Sequence, residues 1–175
     1  MTRKEVQPVQ LVPRGSRKVQ LTRTQSLIWA SQRLHPGVPL ANMGNQFRLS
    51  GAIDSIRFVQ AFDRLVRACD VLRCVVHDSG SVDRVEARIL IDPPRPTDVI
   101  DMPLDELEAW SAQRIEAPID ATRCVYDSVL IRHDDHDWTW WLDIHHIATD
   151  ARSSALLFET MSTIYEADDA AAVDL

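Results

Sequence analysis

The sequence lacks an excess of basic residues, a cysteine framework and a long apolar run. Its formal net charge is -7 at pH 7 over 175 residues, and without a basic excess to release counterions it is not a general nucleic-acid binder. The three cysteines, Cys69, Cys74 and Cys124, form no CxxC pair and are odd in number. They favour reduced thiols in a cytoplasmic protein over a disulfide scaffold. No apolar run reaches transmembrane length, and no signal-peptide stretch opens the chain.

The sequence has no internal repeat. It also lacks the known nucleotide-binding motifs, since neither a Gly-rich phosphate loop nor a dinucleotide fingerprint occurs. Hydrophobic residues make up 45% of the chain, which is typical of a globular domain with a core. Residues 1–20 are basic and proline-punctuated, and LVPRGS at 11–16 matches a common vector-derived protease site. We therefore expect a flexible extension or vector remnant over 1–20, a folded lobe over 21–167 and a tail over 168–175.

Hydrophobic periodicity and capping residues predict alternating helices and strands. The predicted helices are 22–34, capped by Thr22 or Thr24, then 54–69, capped by Asp54, then 103–117 and 151–166. The predicted strands are 45–49, a hairpin of 71–77 and 82–91 around 78–80, and a hairpin of 126–132 and 138–145. This order indicates an α/β (α+β) fold in which helices pack on a mostly antiparallel mixed sheet.

The segment WTWWLDIHHIATD, at residues 138–150, carries the residues best suited to chemistry. Histidine exchanges a proton near neutral pH and can act as a general base when it is held in place. Side chains alternate along a strand, so His145 and His146 point to opposite faces. His146 shares its parity with the more apolar face, and we expect partial burial to lower its pKa. Asp150 is expected to cap the following helix.

Two other interpretations of these residues stay open. The first is a buried, hydrogen-bonded histidine pair beside a capping aspartate. The second is a metal site formed by His145, His146 and Asp150, with His133 and His136 nearby in sequence. Adjacent histidines on a strand diverge and no second ligand pair has zinc-like spacing, so we expect no metal here. The 133–137 cluster is interpreted as a solvated turn.

Four separated segments resemble the condensation domains of nonribosomal peptide synthetases, relatives of chloramphenicol acetyltransferase-like acyltransferases. IHHIATDARS at 144–153 resembles the HHxxxDG motif, and RACDVLRCVV at 67–76 resembles the RHExLRTxF segment. Residues 21–54 resemble the opening segment of the family, and Ala117-Pro118-Ile119-Asp120 resembles its Pro-Phe-Asp element. The resemblance covers about residues 21–166 and implies the chloramphenicol acetyltransferase-like fold.

The resemblance also implies roles for individual residues. His146 matches the catalytic histidine, which deprotonates or orients an acceptor amine as the amine attacks a donor thioester. His145 and Asp150 match supporting positions, and Arg73 is expected to form an ion pair with Asp150 that fixes the loop carrying His146. The implied substrates are acyl or aminoacyl groups on phosphopantetheine arms of carrier proteins. No metal or redox cofactor is implied.

The sequence departs from the family pattern in three places. The glycine of HHxxxDG is Ala151, which would be strained if its backbone required a positive φ. The His and Glu of the second segment fall on Ala68-Cys69-Asp70, and its Thr is Cys74. The third departure is length, because a complete condensation domain has two lobes and this chain corresponds to the N-terminal lobe. A lone lobe is expected to expose an apolar face and to be inactive without its partner lobe.

These departures leave alternatives to an amide-forming acyltransferase lobe. One is a non-catalytic orphan lobe that docks a carrier protein or another synthetase module, or that self-associates. Carrier proteins are acidic, so Arg48, Arg57, Arg64 and Arg67 are candidates for a docking patch. The other alternative is a free-standing acyltransferase of the same superfamily that uses a coenzyme A thioester.

Overall fold

The computed structural model describes residues 16–77 and 85–167. The elements in chain order are β1 (Arg17–Gln20), α1 (Arg23–Leu34), β2 (Asn42–Ser50), α2 (Ser55–Ala68), β3 (Cys74–His77), β4 (Glu86–Ile89), β5 (Asp98–Asp101), α3 (Leu107–Ile115), β6 (Tyr126–Arg132), β7 (Asp137–His145) and α4 (Ala151–Glu166). Short 3₁₀ helices precede β3 and α3, at Asp70–Arg73 and Leu104–Glu106.

The strands form two sheets. The first has three strands in the order β1-β4-β3 and is antiparallel throughout. The second has four strands in the order β2-β7-β6-β5, and only the β5–β6 pair is parallel. The predicted fold class, helices packed on a mostly antiparallel mixed sheet, is confirmed.

Side-chain caps set the starts of three helices where the sequence predicts them. Thr22 and Gln25 form a reciprocal capping box at α1. Asp54 accepts from the backbone N–H of Arg57 at α2, and Asp150 accepts from that of Ser153 at α4. Each cap satisfies a backbone N–H that has no partner inside its own helix.

Strand β7 builds a core on both faces of the larger sheet because its side chains alternate. Trp140 and Ile144 pack into the main core with residues of α2 and α4, such as Phe62 and Met161. Trp141 faces the opposite side and packs in a smaller cluster with residues that include Leu107 of α3. This double burial explains the nearly continuous apolar sequence of the strand.

The structure corrects the expected boundary of the flexible N-terminal extension. Arg17–Gln20 is strand β1, which pairs antiparallel with Glu86–Ile89, and Arg17 forms an ion pair with Asp70 at 2.5 Å. The sequence predicts no strand here because the segment is polar and basic, and the strand that it pairs with lies far along the chain. Residues 1–15, the expected tail 168–175 and the expected turn at 78–80 lie outside the described residues.

Two further differences concern short elements. Strand β5, Asp98–Asp101, was not predicted, because four residues that are half charged give no clear alternation. Asp70–Arg73 forms a 3₁₀ turn, so the third strand begins at Cys74 and not at Val71. Within the ranges 16–77 and 85–167, no helix is both long and apolar enough to cross a membrane.

Candidate active site

A tight turn follows the last residue of β7. The backbone N–H of His145 donates to the carbonyl of Val125 at 2.8 Å, and that of His146 donates to the carbonyl of Ala41 at 2.6 Å. The backbone N–H of Ala148 then returns to the carbonyl of His145 at 2.8 Å. The first two bonds continue the pairing of β7 with its neighbouring strands, and the third closes a turn that begins at His146.

His145 is fully buried, with 0% of its surface exposed. Its Nδ1 accepts a hydrogen bond from the backbone N–H of Ile147 at 3.1 Å, so the proton of the neutral ring resides on Nε2. Burial, with a smaller contribution from the charge of His146, lowers the pKa of His145 to about 4. His145 is therefore a neutral structural residue at pH 7, which supports the role that the resemblance implies.

His146 is exposed, and the expectation that it lies partly buried on the apolar face is wrong. The alternation rule fails there because the chain has already left the strand. The His146 Nδ1 lies 2.6 Å from the carbonyl oxygen of Thr149. A carbonyl can only accept, so Nδ1 carries the proton and Nε2 of the neutral ring keeps a free lone pair. The ring is thus held in the tautomer that a proton acceptor requires.

Asp150 has the structural role that its position predicts. Its carboxylate accepts from the backbone N–H of Ser153 at 2.7 Å, and this bond is the main reason that its pKa lies below the ordinary value. Ala151, in place of the family's glycine, is the first residue of α4. No residue other than glycine has a positive φ in the described part of the chain. The substitution therefore causes no backbone strain.

The expected ion pair between Arg73 and Asp150 does not form. The guanidinium of Arg73 bonds to Asp70 at 2.6 Å, to the carbonyl of Leu90 at 2.6 Å and to that of Val66 at 3.0 Å. The side chain is only 12% exposed. Arg73 therefore joins the end of α2 to the end of β4. The turn at His146 is held instead by its own backbone bonds and by the Asp150 cap.

The histidines of the β6–β7 turn form no metal site. Within the described ranges, no group of three or more His, Cys, Asp or Glu side chains could hold a metal ion. His133 is not solvated as expected, since its Nδ1 lies 2.8 Å from the carbonyl of Met102 and its Nε2 lies 2.8 Å from the hydroxyl of Thr139. His133 thus connects the β6–β7 turn to Met102, the residue that follows β5. Of His133 and His136, only His136 is exposed.

Most of the arginines considered for carrier docking already have partners within the lobe. Arg48 pairs with Asp137, and Arg67 pairs with Asp63 and Asp92. The guanidinium of Arg57 donates to the carbonyl of Ala167 and lies over the ring of Tyr165. The carboxylate partners of Arg48 and Arg67 offset their charge, whereas Arg57 contacts neutral groups. The four arginines Arg48, Arg57, Arg64 and Arg67 therefore do not form the expected patch of unpaired positive charge.

Asp143, to which no sequence motif pointed, lies two residues before His145 on the same side of β7. It is 2% exposed, and one of its carboxylate oxygens accepts from the side-chain amide of Asn42 at 2.8 Å. The same amide donates to the carbonyl of Ala117 at 2.9 Å. Burial, and then the charge of Asp127, raise the pKa of Asp143 to about 6. The sequence feature that could have indicated this residue is an acidic side chain within the mostly apolar segment WTWWLDI.

The buried side chains of His145 and Asp143 are expected to change the free energy of unfolding with opposite pH dependence. The pKa of His145 is lowered from 6.5 to about 4, so its contribution is present above pH 6.5 and is lost as the pH falls to about 4. The pKa of Asp143 is raised from 3.8 to about 6, so its contribution is present below pH 3.8 and is lost as the pH rises to about 6. Each swing is about 3 kcal/mol, and the two largely cancel.

Single substitutions at His145 and Asp143 should reveal the separate effect of each group on the pH dependence of stability. With His145→Asn, the free energy of unfolding should fall as the pH rises from 4 to 6, because Asp143 is then the one member of the buried pair that still titrates. With Asp143→Asn it should rise over the same range. Urea unfolding at pH 4, 5 and 6 measures both slopes, and the double variant is the control. Parallel slopes in the two single variants would contradict the opposed titrations.

Exposed apolar side chains lie on α1 and on the loop that follows it. They are Leu27, Leu34, Val38 and Leu40. The next residue along this loop is Ala41, whose carbonyl accepts from the backbone of His146. Leu40 is therefore an exposed apolar residue near the candidate site.

Comparison with known proteins identifies the family. A family model of the condensation domain matches residues 16–171. A linear gramicidin synthase of Brevibacillus parabrevis is 26% identical over 172 residues, which are 91% of this chain and 2% of that protein. Phosphinothricin tripeptide synthetase PhsC of Streptomyces viridochromogenes is 28% identical over 160 residues, which are 85% of this chain and 14% of that protein.

Solved structures show the same fold. The starter condensation domain of rhizomide synthetase RzmA superposes with a TM-score of 0.78 at 24% identity, covering 86% of this chain and 39% of that one. The first condensation domain of the calcium-dependent antibiotic synthetase gives 0.75 at 21% identity, covering 86% and 37%. This chain thus spans well under half of each domain. With the family match over residues 16–171, these findings show that the chain belongs to the condensation domain family.

Proposed function

We propose that this chain acts as the N-terminal lobe of a condensation domain that forms amide bonds in nonribosomal peptide synthesis. The donor acyl or aminoacyl group and the acceptor amine would both arrive as thioesters on carrier proteins. The observation that carries the proposal is the state of His146. It occupies the second histidine of the family motif, its side chain is exposed, and its Nδ1 is bound to the Thr149 carbonyl at 2.6 Å.

This geometry suits a proton acceptor or an orienting group. As the acceptor nitrogen attacks the donor carbonyl carbon, a new C–N bond forms and the nitrogen loses a proton, which the free Nε2 lone pair can take. Collapse of the intermediate breaks the C–S bond, and the proton passes to the leaving thiolate. Such help contributes about 10²- to 10⁴-fold. Alignment of two carrier arms contributes the larger proximity effect.

The rest of the catalytic chamber would come from outside this chain. The chain covers 39% of the solved rhizomide starter domain, and apolar residues of α1 and the following loop, such as Leu34 and Leu40, are exposed. We propose that a second lobe covers them and that the lone lobe is inactive. The substrates would be carried on phosphopantetheine arms of carrier partners, with no cofactor bound by this lobe. The free thiols of Cys69, Cys74 and Cys124 suit a cytoplasmic location.

A transfer assay tests the proposal. The 175-residue chain is tested alone and joined to the C-terminal lobe of a condensation domain, a form called here the full polypeptide. Each is incubated with a carrier-bound acyl donor and a carrier-bound aminoacyl acceptor. Mass spectrometry of the acceptor arm then detects an amide product. We expect product from the full polypeptide and none from the 175-residue chain. A parallel reaction with a coenzyme A donor distinguishes a free-standing acyltransferase, and the absence of product with every donor would contradict the proposal.

A further inference from the structure

The turn that carries His146 is held by contacts from three other segments. The carbonyls of Val125 and Ala41 accept from the backbone N–H groups of His145 and His146. The third contact comes from α1, where the side-chain Nε2 of Gln25 donates to the carbonyl of Ile147 at 2.9 Å. This is a side-chain bond to the backbone of the turn, 122 residues away in sequence.

Gln25 has two separate functions in the structure. Its Oε1 accepts from the backbone N–H of Thr22 at 2.9 Å, which completes the capping box of α1. Its Nε2 is the donor to Ile147. A side chain needed only for capping could be a glutamate, which also completes a capping box but has no N–H to donate. The amide at this position therefore serves the turn as well as the helix.

We propose that Gln25 is a positioning residue for His146, acting through the carbonyl of Ile147. The bond fixes the Ile147–Ala148 peptide, which lies between His146 and Thr149. The Thr149 carbonyl in turn accepts from the His146 Nδ1, at an Nδ1–O distance of 2.6 Å. Loss of the bond leaves a part-buried carbonyl unpaired, so the turn rearranges to find another donor. The tautomer and orientation of the His146 ring then become less well defined. This inference rests on the proposed function only in treating His146 as the reacting group.

Three substitutions in the 175-residue chain separate the two functions of Gln25. Gln25→Glu keeps the cap acceptor and removes the donor to Ile147. Gln25→Met removes both bonds without adding charge. Thr22→Val weakens the cap, because it removes the hydroxyl that accepts from the backbone N–H of Gln25, and it leaves the bond to Ile147 in place. Thr22→Val is therefore the matched control.

The readouts are the imidazole ¹⁵N signals of His146 and the hydrogen exchange of its backbone N–H, with thermal unfolding to verify the fold. We expect both Gln25 variants to reduce the Nδ1–H tautomer and to speed exchange at His146 about fivefold, as the loss of one hydrogen bond predicts. Thr22→Val should leave both His146 signals unchanged. Wild-type signals in both Gln25 variants, or an equal change in Thr22→Val, would overturn the proposal.

The outcome is independent of whether the chain catalyses condensation. If the full polypeptide forms no amide product with any donor while the Gln25 variants still alter the His146 ring, the proposed function fails and the positioning contact stands. If condensation depends on His146 but the Gln25 variants leave its ring unchanged, the positioning proposal alone fails. Where the full polypeptide is active, the Gln25 variants should lower kcat about fivefold and leave KM unchanged.

Discussion

Replacing His146 with alanine is expected to lower kcat for amide formation by about 10²- to 10⁴-fold in the full polypeptide. The substitution removes the Nε2 lone pair that accepts the proton of the attacking amine. It should cost little stability, because the side chain is exposed and its one hydrogen bond within the described chain is to the Thr149 carbonyl. Single-turnover transfer between carrier-bound substrates measures the chemical step.

His136→Ala is the matched control for this experiment. His136 is also exposed, and its backbone N–H and carbonyl, which the substitution keeps, bond to Asp134 and Gly51. It should therefore retain full activity. Both variants should unfold at the wild-type temperature. Activity of His146→Ala within tenfold of wild type would show that His146 is not the proton acceptor and that orientation of the two arms supplies the catalysis.

Replacing Trp140 with alanine is expected to destabilise the fold by about 3–5 kcal/mol. Trp140 is 0% exposed and contacts four aromatic rings of the main core. They are Phe47 at 5.3 Å, Phe58 at 5.5 Å, Phe62 at 5.7 Å and Phe158 at 6.3 Å between ring centroids. Its indole N–H also donates to the buried hydroxyl of Ser128 at 3.0 Å. The substitution leaves a large cavity where α2 and α4 meet the sheet.

Equilibrium urea unfolding of Trp140→Ala measures this loss, and Trp110→Ala is the control. Trp110 lies in the smaller cluster, where it is partly exposed between Trp141 and the guanidinium of Arg114. Its removal should cost clearly less because water can fill the space. Domains of this size have about 5–15 kcal/mol of stability in total, so Trp140→Ala should remove a large fraction of it. Equal losses in the two variants would contradict the assignment of the main core to α2, α4 and β7.

The helices and the β6–β7 hairpin were predictable because their signals are local. A helix begins where a neighbouring side chain caps its first backbone N–H groups, as Asp54 and Asp150 do. The structure shows both caps. Strands β1 and β5 were not predictable in this way. They are four residues long, and their stabilising partners are β4 and β6, far along the sequence.

The family and the position of its histidine motif were predictable from the sequence, but the environment of each histidine was not. Strand alternation assigned burial to His146, whereas His145 is buried and His146 is exposed. The reason is that the chain turns at His146, where the backbone N–H of Ala148 bonds back to the carbonyl of His145, so strand alternation no longer applies. Similarly, Arg73 bonds to Asp70 and to carbonyls of Val66 and Leu90, and not to Asp150.

By itself the sequence determined the fold class, the family and the type of residue at the site, because apolar periodicity, caps and motif spacing are properties of neighbouring residues. Only the tertiary structure decided which histidine is neutral and buried, which nitrogen of His146 is free, and that Gln25 of α1 holds the same turn. Those properties depend on hydrogen bonds and burial contributed by segments distant in sequence, such as Ala41 and Val125. A pattern among neighbouring residues does not specify to which distant carbonyl a backbone N–H donates.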